Sequence, residues 1–146
     1  QGKQNVESVT HLPGRFRGEI PEIDIEKEDE LTDFDTFVQD YQGDLDIAKQ
    51  LLELFYRDVP GRIRAIEEAL EKQKVASTVD EFHSLTNNLS AVRLYSLGNL
   101  TRTLEREALR GNIEQLNQQF PKLKEELHRA VKQSQHYLSV IQEMLE

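Results

Sequence analysis

Residues 78–92 read Thr-Val-Asp-Glu-Phe-His-Ser-Leu-Thr-Asn-Asn-Leu-Ser-Ala-Val, and their spacing decides the fold. Phe82, Leu85, Leu89 and Val92 recur at three- and four-residue intervals, the period of a helix that buries one face. Thr78 to Glu81 has the spacing of a capping box, so Thr78 is the expected N-cap, with Glu81 reaching back to it. His83 falls roughly 100° round from Phe82. Its side of the helix carries Asp80, Thr86, Asn87 and Ser90, all polar and three of them uncharged. The expectation is an imidazole held on a rigid helix and open to solvent, which suits a nucleophile that another protein must reach. The plain alternative is an ordinary surface histidine.

The same period extends in both directions. Leu31, Phe34, Phe37 or Val38, and Tyr41 predict a short helix over about 31–41. Gln42-Gly43 interrupts it, and Asp44 is a good N-cap for a long helix. The stripe of that helix is Ile47, Leu51, Leu54, Phe55, Val59, Ile63, Ile66 and Leu70, with a kink expected at Pro60. A polar connection spans about Lys72 to Ser77. Beyond a turn near Val92 to Leu94, a fourth long segment carries Leu94, Leu97, Leu100, Leu104 and Ala108. Gly111 is placed to end it, and Asn112 to cap the last helix with Gln115 at its third position. Leu116, Phe120, Leu123, Leu127, Val131, Leu138, Ile141 and Leu145 form the final stripe, with another kink expected at Pro121. Short connections make neighbouring helices antiparallel. The predicted class is all-α: an antiparallel four-helix bundle over 31–146, with the short first helix across one end. Residues 1–30 lack periodicity, contain Pro13, Gly14, Gly18 and Pro21, and end in an acidic stretch, so they read as a linker or tail.

The bulk numbers exclude several functions. Of 146 residues, 37% are hydrophobic, enough for one core but not for a large internal substrate cavity. The formal net charge of -9 argues against nucleic acid, whose phosphates need clustered Lys and Arg. With no cysteine, disulfides, thiolate catalysis and Cys-ligated zinc are out, and a reducing compartment fits. No apolar run approaches the roughly 20 residues that cross a bilayer, so no direct membrane contact is expected. The opening Gln1-Gly2-Lys3 has no initiating Met and reads as the start of a fragment. His11, His128 and His136 read as solvated, and none belongs to a His-Glu-x-x-His pattern. Neither a Gly-rich phosphate loop nor a Gly-x-Ser-x-Gly elbow occurs.

Around His83 the chain resembles the histidine-containing phosphotransfer (HPt) family of two-component phosphorelays, over about residues 34–138. The family's long helix ends in Phe-x-x-Asp-x-Pro-x-Arg-Ile/Leu; here Phe55-Tyr56-Arg57-Asp58-Val59-Pro60-Gly61-Arg62-Ile63 stands in that place. Its phosphorylated histidine opens a His-x-Leu-Lys-Gly-Ser/Ala pattern; here His83-Ser84-Leu85-Thr86-Asn87-Asn88 does. A Leu-Glu pair follows at Leu104-Glu105 and a Gly-Asn turn at Gly111-Asn112. The resemblance implies that His83 carries the phosphoryl group and that Glu105 orients its imidazole. It implies a response-regulator receiver domain as partner, meeting Thr86, Asn87 and Ser90. The receiver supplies the aspartate, a Mg²⁺ ion and a lysine, and this chain, expected to be monomeric, binds no cofactor. Ile20-Pro21-Glu22-Ile23-Asp24 looks like the linker before such a module at the C-terminal end of a hybrid sensor kinase, which implies a cytoplasmic location.

The motif is degenerate after the histidine. Thr86 stands where the family has lysine, which removes a cation from the phosphoryl site. Asn87 stands where it has glycine, which adds bulk but also an amide donor. Arg93 and Arg102 are candidate replacements for the missing cation. A degenerate domain that binds a receiver or another partner without carrying phosphate is the alternative function. An unrelated structural or adaptor bundle is a third reading. No constellation of nucleophile, base and oxyanion donors points to an autonomous enzyme or kinase.

Overall fold

The computed structural model describes residues 30–146, with side chains from Phe34 onward. The linker expected over 1–30, with His11 and the Ile20–Asp24 stretch, falls outside the described residues apart from Glu30. The helices are α1 (Glu30–Asp40), α2 (Leu45–Glu71), α3 (Val75–Ala91), α4 (Tyr95–Leu109) and α5 (Ile113–Leu145), and a 3₁₀ turn at Gln42–Asp44 joins the first two. Among the described residues there is no strand. α2 packs on α3, α3 on α4, α4 on α5, and α5 back on α2, so the four long helices close a ring. Pro60 and Pro121 sit inside α2 and α5 and end neither. No described helix is long and apolar enough to cross a membrane.

The ring closes because three three-residue turns share one construction. Each has a residue with positive φ at its centre: Gln73 (54°), Arg93 (67°) and Gly111 (76°). In each, the next N–H reaches back five residues: Lys74 to Ala69 O, Leu94 to Leu89 O and Asn112 to Glu107 O, at 2.9, 3.0 and 3.1 Å. Such a turn satisfies the last carbonyls of one helix and reverses the chain at once. Glycine adopts positive φ freely, whereas Gln73 and Arg93 each pay about 1–2 kcal/mol for it. The buried side chains beside those turns, Leu70, Leu89 and Leu94, each return about 1.5–3 kcal/mol of transfer free energy, which outweighs that strain.

The core runs the length of the ring. Phe82 meets Phe120 edge-on, with ring centroids 6.2 Å apart. At the α1 end, Phe34 packs on Phe55 at 6.2 Å and on Tyr137 at 5.5 Å, and the Tyr137 hydroxyl donates to Asp35. Arg93 donates to Asp40 and lies over the Tyr41 ring, tying α1 to the α3–α4 turn.

Several sequence readings need correction, among them Asp44, which holds the N-cap position of α2 without a capping bond, and Leu145, expected in the final stripe, which is 41% exposed. Thr78 is not an N-cap: the short turn starts α3 at Val75, so Thr78 is already inside the helix. Its side chain is buried and donates to Lys74 O, and Glu81 bonds Arg62 instead of reaching back. On α2 the buried stripe is Ala48, Leu52, Phe55, Val59, Ile63, Ile66, Ala69 and Leu70. Ile47 and Leu54, expected in the core, are 46% and 42% exposed. On α4, Thr101 faces inward and Leu100 outward. Asn112 holds the N-cap position of α5 without a capping bond, and its amide donates to Glu107.

The phase of α2 is directly testable. Leu52→Ala should cost about 2–5 kcal/mol in chemical denaturation, the range for a sealed leucine. Leu54→Ala should cost no more than about 1 kcal/mol, as befits a half-exposed side chain. Equal losses would mean that α2 turns differently.

Candidate functional site

Phe82 and Leu85 are fully buried on either side of His83, so the rotation of α3 is fixed and the imidazole must point outward. Its side chain is 64% exposed. The next helix supplies a partner: Nδ1 of His83 lies 3.3 Å from Oε2 of Glu105, whose side chain is only 19% exposed. A carboxylate only accepts, so this contact places the proton of a neutral imidazole on Nδ1 and leaves the lone pair on Nε2. The arrangement is an oriented imidazole at the surface, with the geometry a nucleophile requires.

The other side chains expected on this face divide. At about 100° per residue, Thr86 lies about 60° to one side of His83 and Asn87 about 40° to the other. That difference sends them to different neighbours. Asn87 is exposed and faces the α2 side. Thr86, expected on the partner surface, is 4% exposed and turned into the α3–α4 seam. Its Oγ1 donates to Phe82 O at 2.9 Å and lies 2.7 Å from Thr101 Oγ1, so it cannot meet a docked protein. Ser90 is half-buried against α4, near Gly98. The candidate substitute cations are engaged: Arg93 with Asp40, and Arg102 with Asn99 on its own helix at 2.9 Å. From Val75 to Ala91, α3 carries no lysine or arginine.

The site also draws on α2, whose Asp58 and Arg62 stand in the quoted family motif but carry no role there. A groove of about 220 Å³ between α2 and α3 is lined by Leu51, Leu54, Phe55, Asp58 and Arg62 on one wall and by Ser84, Asn87, Asn88 and Ala91 on the other. Ser84 and Asn87 flank His83, so the groove opens beside the imidazole. Arg62 spans its floor: Nε donates to Asn88 Oδ1 at 2.9 Å and Nη1 to Glu81 Oε1 at 3.2 Å. Glu81 and Asn88 are seven residues apart, two turns on one face of α3, and that spacing is the signal that could have marked Arg62. The fork holds α3 at a set rotation against α2 and neutralises a carboxylate two residues from His83.

Farther off, at the end of α2, the hydrogen bond from Lys72 to Glu68 lowers the Glu68 pKa and raises that of Lys72. His128 and His136 are exposed, the latter edge-on to Tyr137. Among the described residues no group of three or more His, Asp or Glu is arranged to hold a metal ion.

The family model of the Hpt domain matches residues 50–134, more than half of the chain and a span that includes both His83 and Glu105. Comparisons with curated proteins and with solved structures find no match.

The Arg62 fork predicts a graded response. Arg62→Ala should destabilise the bundle by about 1 kcal/mol, a charged hydrogen bond discounted for partial exposure. Arg62→Lys should recover less than half of that, because an ammonium cannot bridge two acceptors in one plane. Denaturant midpoints check both; full recovery by lysine would reduce the fork to a simple charge.

Proposed function

The chain belongs to the Hpt domain family, phosphotransfer modules of two-component systems that interact with response-regulator receivers, and from that premise we propose that His83 is its phosphorylated residue. The observation that carries this reading is the pairing of an open imidazole with a part-buried carboxylate at 3.3 Å. Nε2 attacks the phosphoryl group of a receiver aspartyl phosphate. The N–P bond forms as the aspartate O–P bond breaks, and the receiver recovers its carboxylate. Nδ1 keeps its proton throughout, and Glu105 stabilises the positive charge that grows on the ring. The return transfer reverses these steps.

Because α3 has no lysine or arginine, the countercharge for the phosphoryl group would come from the receiver, whose Mg²⁺ and lysine would neutralise it as it passes in line between imidazole and aspartate. This chain contributes the imidazole and a docking face, with no cofactor and no kinase activity of its own. Asn87 and the groove beside it belong to that face. The location this reading entails is cytoplasmic, as a monomeric module at the C-terminal end of a hybrid sensor kinase. The Ile20–Asp24 stretch supports that placement.

One observation favours a second reading. With Thr86 buried and α3 free of lysine and arginine, the domain is equally shaped to bind a receiver without taking its phosphate.

Incubation with a phosphorylated receiver separates the two. The first reading predicts acid-labile label on the chain, lost completely in His83→Gln and passed on to a second receiver when Mg²⁺ is present. Saturable binding with no acid-labile label establishes the second reading. Unchanged labelling of His83→Gln would remove His83 from the mechanism.

A further inference from the structure

The α3–α4 seam has three rungs. His83 meets Glu105, Thr86 meets Thr101, and Ser90 lies beside Gly98. Three residues down α3 match four back along α4, and then four match three, so one register serves all three contacts. Around the middle rung the seam is apolar: Phe82, Leu85 and Leu89 on α3, Leu97 and Leu104 on α4. Apolar contacts are non-directional, so they specify axial position less sharply than a directional bond does. A buried polar pair does not, because sliding unpairs it, and single polar positions set register in this way in helical assemblies.

We propose that the buried Thr86–Thr101 hydroxyl pair is the register lock that sets Glu105 against Nδ1 of His83. This makes Thr86 and Thr101 positioning residues, and it rests on the reading of His83 as the phosphorylated group. Thr86 and Thr101 are 4% and 0% exposed, with their Oγ1 atoms 2.7 Å apart. Each oxygen also lies 2.9 Å from a carbonyl of its own helix, Phe82 O for Thr86 and Gly98 O for Thr101. Either hydroxyl can donate across the seam while the other serves its own carbonyl, so the inter-helix bond forms in both arrangements. Thr86 lies one turn after His83, and Thr101 one turn before Glu105. A slip of one residue moves α4 by about 1.5 Å and turns it by about 100°, which carries Glu105 off the face that meets the ring. Among the described residues, the other side-chain hydrogen bond across this seam is the His83–Glu105 contact that the pair positions. Arg62 holds α3 to α2, and the turn at Arg93 fixes one end of the pair only. Thr86 therefore has an inward task, and its place in the motif is not that of a lost surface charge.

The test uses the nearly isosteric Thr86→Val and Thr101→Val in the full chain. Long-range ¹H–¹⁵N spectra of the imidazole read the His83 tautomer, and labelling by a phosphorylated receiver reads the rate. Each valine variant should keep its helical circular dichroism, lose the Nδ1–H signature, and slow transfer about tenfold, the scale of a small misplacement at a reacting group. Thr86→Ser keeps the hydroxyl and should restore both readouts. In a Glu105→Ala background Thr86→Val should slow transfer no further, because its effect passes through Glu105. Valine variants that keep the Nδ1–H signature and the wild-type rate overturn the lock. So does an equal further loss in the Glu105→Ala background. If valine prevents folding, Thr86→Ala and Thr101→Ala pose the same question, and a retained Nδ1–H signal there overturns it. The ring spectra need no phosphate. A chain that never accepts label therefore defeats the proposed function, and the tautomer alone decides the lock.

Discussion

The outward setting of His83 follows from one packing constraint: α3 buries Phe82 and Leu85 completely. These residues are three apart, about 60° from each other in projection, and together they fix the helix about its axis. A helix anchored at both has no rotation left that would hide the residue between them on the outer side. The anchors are heavy. Phe82 meets Phe120 across the core, and losing such a ring costs about 3–5 kcal/mol, a large part of the stability of an ordinary domain. The exposure of His83 is thus a consequence of core packing, and the polar ties tune what the core has already positioned.

Those ties divide by direction. Arg62 reaches from α2 to both Glu81 and Asn88, and the threonine pair faces α4. His83 stands between them, with a carboxylate on one side and an open groove on the other. The polarity is asymmetric for a reason. Orienting an imidazole requires a fixed acceptor that is partly shielded from water, whereas docking requires accessible surface. One helix face supplies both because its two flanks meet different neighbours.

The helical class, the ring of four and the outward phase of His83 were legible because they depend on burying leucine and phenylalanine, and the period of those residues is written in the chain. What was not legible depends on neighbours. Thr86 and Asn87 differ by one step in sequence and by their side of His83 in space, and no single-helix argument says which side carries α4. Ile47 and Leu54 look like core because they are apolar, yet the face of α2 turned inward carries Leu52 and Phe55. Gly111 announced its turn; Gln73 and Arg93 did not, because a residue type that rarely takes positive φ gives no sign when packing forces it. Thr78 shows the converse. Its spacing matched a capping box, but the turn before it needed only three residues, and the helix had begun before Thr78 was reached.

A chain of net charge -9 is an unwelcoming host for a phosphoryl group, and α3 adds Asp80 and Glu81 next to His83 without one compensating cation. The structure reduces that burden locally. Arg62 occupies Glu81, and the imidazole itself faces Glu105, so two nearby carboxylates already have positive or proton-bearing partners. On the proposed reading, what remains is a site that orients its imidazole well and offers a phosphoryl group little charge of its own. Such a division of labour favours transfer over storage. On the proposed reading the phosphoryl group draws its countercharge from whichever receiver is docked, which suits passage from one receiver to another.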